Sequence, residues 1–386
     1  MTRTGDQAFI KALNRSIVLN LIRTQSPISR TQIAKITGLN KATVSALVDE
    51  LIQDNLVQEV GHGHARVGRR PVLLLFNADA GHVIGMDLGV NYIRVLATDL
   101  AARARHAYES PLDPSASVET NLRLVVDMVR KAAEALPPSS LGIVGIGIGV
   151  PGLVDYDTGT VINAPNLRWS DLPLRERLER ELQMPVFVDN EANAGALGEK
   201  LFGSGKDVSD LVYVSVGIGI GTGIIVGGEL MRGRRGLAGE FGHMTVETAG
   251  ARCSCGNTGC LELYASEAAV EQMYLRESGR PAKLAEIQER LAENDAAAIS
   301  AVQAAGYYLG VGVANIINGL NPSMVVIGNR VAQFGDWLLR PVEQAVQNRS
   351  FVARNSATPI RISSLGRDAI AVGAAALVLH HYFSGP

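Results

Sequence analysis

The sequence predicts an α/β protein in which a small module, residues 1–80, precedes a larger body, residues 81–386. Apolar residues recur at helical spacing over residues 7–52, which indicates a set of short helices. From residue 82 onward, apolar strands that end in glycine turns alternate with helical stretches, a pattern typical of α/β folds. A chain of 386 residues is long enough for two or three domains.

The first predicted helix covers residues 7–25 and is ended by Pro27. We expect it to be amphipathic, because five apolar residues fall at helical spacing: Ile10, Leu13, Ile17, Leu21 and Ile22.

Residues 29–55 predict two further helices around a sharp turn. Ser29 and Gln32 form a capping-box pattern at the start of the first of them. Gly38 suits the left-handed backbone conformation of the turn, and Asn40 is placed to cap the next helix. The apolar stripe expected in that helix is Val44, Leu47, Val48, Leu51 and Ile52.

These features favour a winged helix-turn-helix that binds DNA. Small and polar residues face outward in the first turns of the third helix, as a recognition helix requires. Two strand-like runs then flank a basic, glycine-rich loop at 61–70, which we interpret as the wing. A protein-interaction module with a solvated hairpin is the alternative. The expected DNA contacts are Ser29, Arg30, Thr31, Asn40, Lys41, Ala42, Thr43, Ser45, Arg66, Arg69 and Arg70.

The charge distribution agrees with a DNA-binding module. Residues 1–80 carry ten Lys and Arg against six Asp and Glu, a balance of +4. Because the whole chain is −2, the remainder carries −6. A basic head on an acidic body points to local binding of a polyanion, although a difference of this size also arises by random variation.

The body repeats one local pattern. Apolar strand and glycine-turn segments are predicted at 82–100, 141–155, 211–230 and 323–331. Helices are predicted between or after them at 118–135, 171–183, 265–276, 299–318 and 368–382. Two strand-turn-strand elements, one early and one central, suggest a duplicated domain with a cleft between its halves. Glycine-rich turns also occur wherever chains pack closely, so this signal is weak by itself.

All three cysteines of the chain lie within residues 253–260, ten residues after His243. The C-x-C-x4-C spacing supplies three thiolates to one tetrahedral ion, with Gly256 and Gly259 allowing the backbone to fold around it. We expect a closed, structural zinc site of His243, Cys253, Cys255 and Cys260. Buried structural thiols or a redox pair are the alternatives.

Polar residues near this cluster suit a ligand rich in hydroxyl groups. Glu240 and Glu262 flank the zinc ligands, either as sugar acceptors or as partners that orient His243. Asn166, Asn190 and Glu191 follow apolar segments at loop positions, where amide and carboxylate groups hydrogen-bond sugars. Asn190 alone is also explained as a helix cap.

The assembled motifs resemble the ROK family (repressors, open reading frames and sugar kinases). The resemblance covers about residues 82–386. It rests on DLG at 87–89, GVPGLVD at 149–155, NAPNL at 163–167, DNEANAGALGE at 189–199, GIGIGTG at 217–223 and the cysteine segment. With the N-terminal module, the chain looks like the xylose-repressor-like group of that family.

The resemblance implies a winged helix-turn-helix followed by a two-lobed, actin-like ATPase fold. The small lobe would span about residues 81–200 plus the C-terminal helix 368–386, and the large lobe about 201–367. It also implies the zinc set given above and a sugar site of Asn166, Asn190, Glu191, Glu240, His243 and Glu262.

The resemblance separates regulators from kinases at the nucleotide motifs. ROK kinases carry D-x-G-G-T in the first hairpin, whereas this chain has Val90 and Asn91 at the last two positions. Ile218 replaces a threonine in the second hairpin, and Asn329 replaces a glycine. Glu191 stands where the kinases have a catalytic aspartate, and misplacement of a base by about 1 Å can cost a hundredfold in rate. We therefore expect no kinase activity and no catalytic residues.

The sequence thus predicts a sugar-responsive transcriptional regulator, a repressor of carbohydrate-utilisation genes with xylose as one candidate sugar. Its expected partners are double-stranded operator DNA, a monosaccharide effector and a second copy in a homodimer or higher oligomer. With neither a secretory signal nor an apolar run of membrane-span length, we expect it in the cytoplasm. A ROK kinase with an appended DNA-binding head, or a regulator controlled by a protein partner, are the alternatives.

Overall fold

The computed structural model describes residues 6–62 and 71–384. The predicted DNA contacts Arg66, Arg69 and Arg70 lie outside the described residues. The N-terminal module is a helix-turn-helix with a small sheet ordered β1-β3-β2. Its elements are α1 (Gln7–Gln25), β1 (Ile28–Ser29), α2 (Arg30–Thr37), α3 (Lys41–Gln53), β2 (Val57–His62) and β3 (Val72–Phe76).

Local capping fixes the turn between α2 and α3 as the sequence predicts. Ser29 and Gln32 form a reciprocal capping box at the start of α2. Gly38 ends that helix with φ +73°, the left-handed conformation that glycine adopts without strain. The side chain of Asn40 then accepts a hydrogen bond from the Thr43 amide and starts α3.

The predicted buried face of α1 is wrong, although the predicted bounds of the helix are confirmed. Val18, Leu19 and Ile22 are the buried residues. Three of the residues expected on the buried face, Ile10, Leu13 and Ile17, are 49%, 40% and 44% exposed. Helical spacing allows two overlapping apolar stripes here, and packing against neighbouring helices decides which one is buried.

The first lobe of the body contains a five-stranded sheet of order β11-β7-β4-β5-β6 and a small sheet of order β10-β9-β8. The elements are β4 (His82–Leu88), β5 (Tyr92–Asp99), β6 (Ala104–Pro111), α4 (Val118–Glu134), β7 (Ile143–Val150), β8 (Leu153–Asp155), β9 (Thr160–Ala164), β10 (Trp169–Leu172), α5 (Leu174–Leu182), β11 (Val186–Asn190) and α6 (Glu191–Phe202).

The second lobe contains a five-stranded sheet of order β14-β13-β12-β15-β16. Its elements are β12 (Leu211–Val216), β13 (Ile220–Val226), β14 (Glu229–Leu230), α7 (Glu262–Ala265), α8 (Glu267–Ser278), α9 (Leu284–Ala292), α10 (Ala296–Leu320), β15 (Met324–Gly328), α11 (Asp336–Arg349), α12 (Phe351–Asn355) and β16 (Ile360–Ile362). The chain ends in α13 (Ala369–Phe383).

The two large sheets share one topology, which confirms the predicted duplication. In each, two antiparallel pairings join three consecutive strands, β4-β5-β6 and β12-β13-β14. Each first strand then pairs in parallel with β7 or β15, which in turn pairs in parallel with β11 or β16. The mixed α/β fold with a helix-turn-helix head and an actin-like body is therefore the fold of this chain.

The helix α10 is longer than predicted and, by length and composition, apolar enough to cross a membrane. By this criterion of length and composition, the expectation that the chain has no apolar segment of membrane-span length is wrong for α10. In this structure α10 lies in the core of the second lobe, with Val302, Leu309, Val313, Ile316 and Ile317 buried. Core helices of folded domains pass the same test of length and composition.

The helix α13 leaves the second lobe and packs on the first. A Cβ added at Gly147 would lie 1.8 Å from the carbonyl oxygen of Ala374, and one at Gly373 would lie 1.7 Å from that of Ala194. Only glycine permits such close packing against both the sheet and α6. The position of α6, which begins at the candidate site, is therefore tied to that of α13.

The far end of α13 contacts the N-terminal module. Ser16 Oγ and Asn20 Nδ2 donate hydrogen bonds of 2.6 and 2.9 Å to the carbonyl oxygen of Phe383. The Phe383 ring packs edge-on against Phe76 at 5.7 Å. One hydrophobic cluster also joins Val18 of α1 to Val83 and Ala371 and so crosses the predicted boundary at residues 80 and 81. The division of the chain into those domains stays a prediction.

Candidate ligand and metal site

A cavity of about 510 Å³ opens between the lobes, and all six residues predicted to bind a sugar line it. The first lobe contributes residues that follow β9, end β11 and begin α6, and the second lobe contributes the segment before α7 and the first residue of that helix. The six are Asn166, Asn190, Glu191, Glu240, His243 and Glu262. The structure thus brings together residues from both lobes, and binding of a sugar by them stays a prediction.

Asn190 is both a helix cap and a lining residue. Its Oδ1 accepts hydrogen bonds from the amides of Ala192 and Asn193, which fixes the start of α6. Its Nδ2 donates 2.9 Å to the carbonyl oxygen of Gly152 and 3.0 Å to Oε2 of Glu191. The two readings from the sequence are therefore compatible, because the cap holds the amide beside the carboxyl group that faces the cavity.

Four carboxyl groups share the cavity lining: Asp87, Glu191, Glu240 and Glu262. Burial raises the pKa of Glu191 to about 8, with further contributions from Asp87 and the two other glutamates. Burial likewise raises the pKa of Asp87 to about 7, against the hydrogen bond that it accepts from Tyr92. Carboxyl groups that hold protons near neutral pH both donate and accept hydrogen bonds, as neutral hydroxyl-rich ligands require.

Glu262 ties the site to the second glycine hairpin. Its Oε2 accepts a hydrogen bond of 3.1 Å from the amide of Ile220. A Cβ at Gly219 would lie 2.6 Å from the same oxygen, so the carboxylate lies directly against the glycine in this position. Residues of the second glycine hairpin therefore position a carboxylate in the cavity wall.

The four predicted metal ligands form one cluster. Their donor atoms all lie within 4.8 Å of one another. Sγ of Cys253 is 3.7 Å from Nδ1 of His243, and Sγ of Cys255 is 3.7 Å from Sγ of Cys260. Zn–S bonds of about 2.3 Å in a tetrahedron place two sulfurs about 3.8 Å apart. The three thiols and the imidazole therefore fit a tetrahedral metal such as zinc.

The loop backbone is shaped for this cluster. Gly256 and Gly259 have φ of +95° and +70°, and a Cβ at Gly259 would lie 1.7 Å from the carbonyl oxygen of Glu247. Asn257, which we did not single out from the sequence, donates from Nδ2 to the His243 carbonyl oxygen and approaches Sγ of Cys260 at 3.4 Å. Only the fold reveals that Asn257 contacts two of the expected metal ligands, because His243 lies 14 residues before it.

The side of the cavity at the first glycine hairpin holds a residue that the sequence did not indicate. Tyr92 lines the cavity, and its hydroxyl donates 2.7 Å to Oδ2 of Asp87. Its ring lies directly over the first hairpin turn, since a Cβ at Gly89 would be 2.3 Å from the ring carbon Cε1. The position directly after the altered motif was the one available signal. The ring therefore fills the side of Gly89 from which a side chain would project.

The predicted DNA contacts fall into two groups in the described part of the chain. Thr31, Lys41 and Ala42 are exposed, and Thr43 and Ser45 are partly exposed at the start of α3. This is the end of the helix that a recognition helix presents to bases. Their contact with DNA stays a prediction.

Three other predicted contacts have structural partners. Ser29 is buried, and its hydroxyl takes part in the capping box, so its side chain does not face solvent. Arg30 makes ion pairs with Asp49 at 2.7 Å and Glu59 at 2.6 Å. Asn40 is exposed, but its Oδ1 is used by the Thr43 amide. Ser29 is therefore the weakest of the predicted contacts.

The fold and the site define a class: a helix-turn-helix module attached to a two-lobed, sugar-kinase-like body with a cysteine–histidine cluster beside its cleft. The sequence profile of the ROK family matches residues 83–381, and that of the MarR family matches residues 13–66. The chain belongs to the ROK family.

Relatives with known names support this membership along the whole chain. The chain is 41% identical over 395 residues to the xylose repressor of Caldicellulosiruptor bescii, with 99% of each chain covered. A solved ROK family transcriptional regulator, described as a homologue of the E. coli MLC protein, superposes with a TM-score of 0.82 at 29% identity and 97% coverage of each chain.

A kinase of the family also resembles the body. The ROK family glucokinase from Streptomyces griseus, solved with glucose and AMPPNP, has a TM-score of 0.72 at 30% identity. It covers 77% of this chain, and 99% of the glucokinase is covered in return. The body therefore shares a fold with kinases, and the chemistry of the cleft must be argued from its residues.

Proposed function

We propose that this protein is a sugar-responsive transcriptional repressor that binds operator DNA through its N-terminal module and a monosaccharide in the cavity. The observation that carries the proposal is the convergence of six polar side chains from both lobes on one cavity. The same chain carries a helix-turn-helix that α13 connects to the first lobe. The similarity to the C. bescii xylose repressor makes xylose the first sugar to test.

A ligand that touches both lobes can control DNA binding only through different affinities for two arrangements of the protein. Asn190 and Glu191 lie on the first lobe, whereas Glu240 and Glu262 lie on the second. A sugar that hydrogen-bonds to both sets favours the closed cleft. Because Asn190 caps the start of α6 and α6 packs against α13, closure of the cleft changes the position of the helix that contacts the N-terminal module.

We further propose that this protein does not act as a kinase. Val90 and Ile218 line the cavity at the hairpin turns, and Tyr92 covers Gly89. Phosphoryl transfer needs a backbone cradle for the phosphates and a correctly placed base. The ring of Tyr92 packs against Gly89 within the expected cradle. Glu191 is one methylene longer than the aspartate that the family resemblance implies for a kinase.

We propose that the cluster of His243, Cys253, Cys255 and Cys260 holds a structural zinc ion. A closed set of four protein ligands leaves no open position for catalysis. The ion would fix the loop that carries His243 and precedes Glu262, and so shape one wall of the cavity. Metal analysis of the purified protein tests this, with about one zinc per chain expected.

The operator is double-stranded DNA, read by two copies of the module in a homodimer or a higher oligomer, because dimeric readers place recognition helices about one DNA turn apart. The site of action is then the cytoplasm, where the DNA is. The oligomer is tested by light scattering of the free protein and of its complex with DNA.

The decisive experiment measures binding to a fluorescent DNA fragment selected from the genome, with and without each sugar of a panel. At least one monosaccharide should change the DNA affinity by about 5- to 150-fold, the usual range of coupling between sites. A DNA affinity that no sugar changes would contradict sugar sensing and favour control by a protein partner. ATP-dependent phosphorylation of any sugar above background would contradict the assignment as a pure regulator.

A further inference from the structure

The segment from Met231 to Glu240, here called the flap, belongs to the second lobe but lies against the first. It follows β14, and the Met231 amide still donates to the carbonyl oxygen of Ile224 in β13. At Gly236 the flap approaches the backbone of β8 so closely that a Cβ would lie 2.5 Å from the carbonyl oxygen of Val154. Gly236, Ala238 and Glu240 line the cavity, so the flap forms part of its wall.

One arginine joins the flap to the first lobe. Nε and a terminal nitrogen of Arg232 lie 3.0 and 2.9 Å from Oδ2 of Asp189. The guanidinium carbon also lies 3.8 Å from the centroid of the Tyr156 ring. The side chain of Asp189 is only 2% exposed and that of Arg232 26%. Exposed ion pairs contribute little, whereas this carboxylate depends on its partner because it is buried.

The other oxygen of Asp189 organises the ligand site. Oδ1 accepts hydrogen bonds from the Asn190 amide at 2.8 Å and from Nδ2 of Asn193 at 3.0 Å. Asn190 in turn contacts Glu191. A single buried carboxylate therefore connects the flap on one side with the two lining residues of the first lobe on the other.

We propose that Arg232 is a positioning residue whose contacts with Asp189 and Tyr156 hold the flap closed over the cavity and control the release of the ligand. The part of this inference that concerns the ligand rests on the proposed function. Arg232 touches no ligand in this scheme and acts through Asp189. The planar guanidinium is needed, because only arginine both pairs with the carboxylate through two nitrogens and stacks on the ring.

Hydrogen exchange in the sugar-free protein tests, without any ligand, whether Arg232 holds the flap closed. In Arg232→Met the amides of the flap, including the Ala238 amide that donates to the Arg232 carbonyl, should exchange about tenfold faster than in the wild type. Arg232→Lys should lie between the two. The matched control is Arg234→Met in the same flap, since Arg234 makes no ion pair among the described residues, and it should exchange like the wild type.

Variants of Tyr156, the second partner of Arg232, test the same proposal if Arg232→Met fails to fold. Tyr156→Leu removes the stacking surface and should also speed flap exchange, whereas Tyr156→Phe keeps the ring and should not. Exchange in β12 reports whether the core is intact. Wild-type exchange of the flap in both Arg232→Met and Tyr156→Leu would overturn the proposal.

Stopped-flow kinetics with the sugar found to act on the wild type test the second half of the proposal. The sugar should dissociate at least about threefold faster from Arg232→Met, as expected when one partner of a buried charge pair is removed. Unchanged dissociation together with fast flap exchange would overturn control of release. A wild type that binds no sugar would refute the proposed function. The exchange experiment would still decide whether Arg232 holds the flap closed.

Discussion

The hydroxyl of Tyr92 donates a hydrogen bond of 2.7 Å to Oδ2 of Asp87, at the first glycine hairpin of the body. Asp87 is 2% exposed, and burial disfavours its charged form, whereas this hydrogen bond favours it. The balance leaves the pKa of Asp87 at about 7. Asp87 is thus held by a side chain of its own strand hairpin.

Replacing Tyr92 by phenylalanine should raise the pKa of Asp87 above its present value of about 7. The ring stays over Gly89, so the only loss is the hydrogen bond that stabilises the carboxylate. The carboxyl ¹³C shift of Asp87 across a pH titration measures this. Tyr108→Phe, on β6 of the same sheet, is the control and should leave the titration unchanged. An unchanged or lowered pKa in Tyr92→Phe would contradict the role given to the hydroxyl.

Glu191 should make folding stability fall as pH rises. Its pKa is about 8 in the folded protein against 4.5 as the ordinary value, so the folded state holds more protons between those pH values. Stability then decreases with increasing pH over that window by about 1.4 kcal/mol per unit of pKa difference, an upper bound for a group that faces a cavity. Below about pH 4.5 the group contributes no penalty.

Glu191→Gln removes this titration. The difference in free energy of unfolding between variant and wild type, measured in urea at pH 5, 7 and 9, should grow in favour of the variant as pH rises. Glu134→Gln, at the exposed end of α4, is the matched control and should show a constant difference. A pH-independent difference for Glu191→Gln would mean that the carboxyl group is charged throughout.

What the sequence predicts well is local. The capping box of Ser29 and Gln32 and the left-handed turn at Gly38 need only neighbouring residues, and both are present. The metal ligands and the sugar-site residues converge as the family resemblance implies, because long motifs carry the tertiary arrangement with them. The spacing of His243 and the three cysteines already indicates the ligand set, and the repeated strand-turn-strand elements already indicate a duplication, whereas the full sugar-site set comes only from the resemblance.

What the sequence does not reveal depends on how side chains meet in the folded protein. The burial of Val18 and the exposure of Ile17 on α1 are decided by which face packs on the core that α13 shares. Tyr92 and Arg232 belong to no motif. Their roles follow from the hydrogen bonds that they donate to Asp87 and Asp189, and no sequence periodicity predicts these two contacts. Side-chain contacts between the two lobes depend on the tertiary fold, and local sequence patterns do not encode them.

Asn166 and Asn190 should behave differently when replaced by alanine. Asn166 is an exposed lining residue outside the capping network, so its loss should weaken sugar binding by about 3- to 10-fold and leave stability unchanged. Asn190 also caps α6, so Asn190→Ala should lose sugar affinity and about 1 kcal/mol of stability. Calorimetric titration and urea unfolding measure both quantities. Equal stability losses would contradict the separation of roles.

Removal of one thiol should affect both the metal and the ligand. In Cys255→Ser the zinc content should fall well below one per chain, and sugar affinity should fall because Nδ1 of His243 loses the ion that fixes it. Ser254→Ala lies in the same loop, contributes no metal ligand and should retain zinc. Elemental analysis and titration with a thiol reagent give the metal content and thiol exposure. Full zinc occupancy in Cys255→Ser would exclude the four-ligand site.

The contact between α13 and the N-terminal module should transmit the state of the cleft to the DNA. The Phe383 carbonyl accepts from Ser16 and Asn20, and each hydrogen bond contributes about 1 kcal/mol. Asn20→Ala should therefore loosen α1, seen as faster hydrogen exchange there, and reduce the effect of sugar on operator affinity while sugar binding itself stays at the wild-type level. Thr24→Ala is the control, since the Thr24 hydroxyl, one turn further along α1, donates to the carbonyl oxygens of Asn20 and Leu21 in the same helix. If Asn20→Ala keeps the full effect of sugar on the operator, the signal does not travel through this contact, because reciprocal coupling requires that both sites bias the same element.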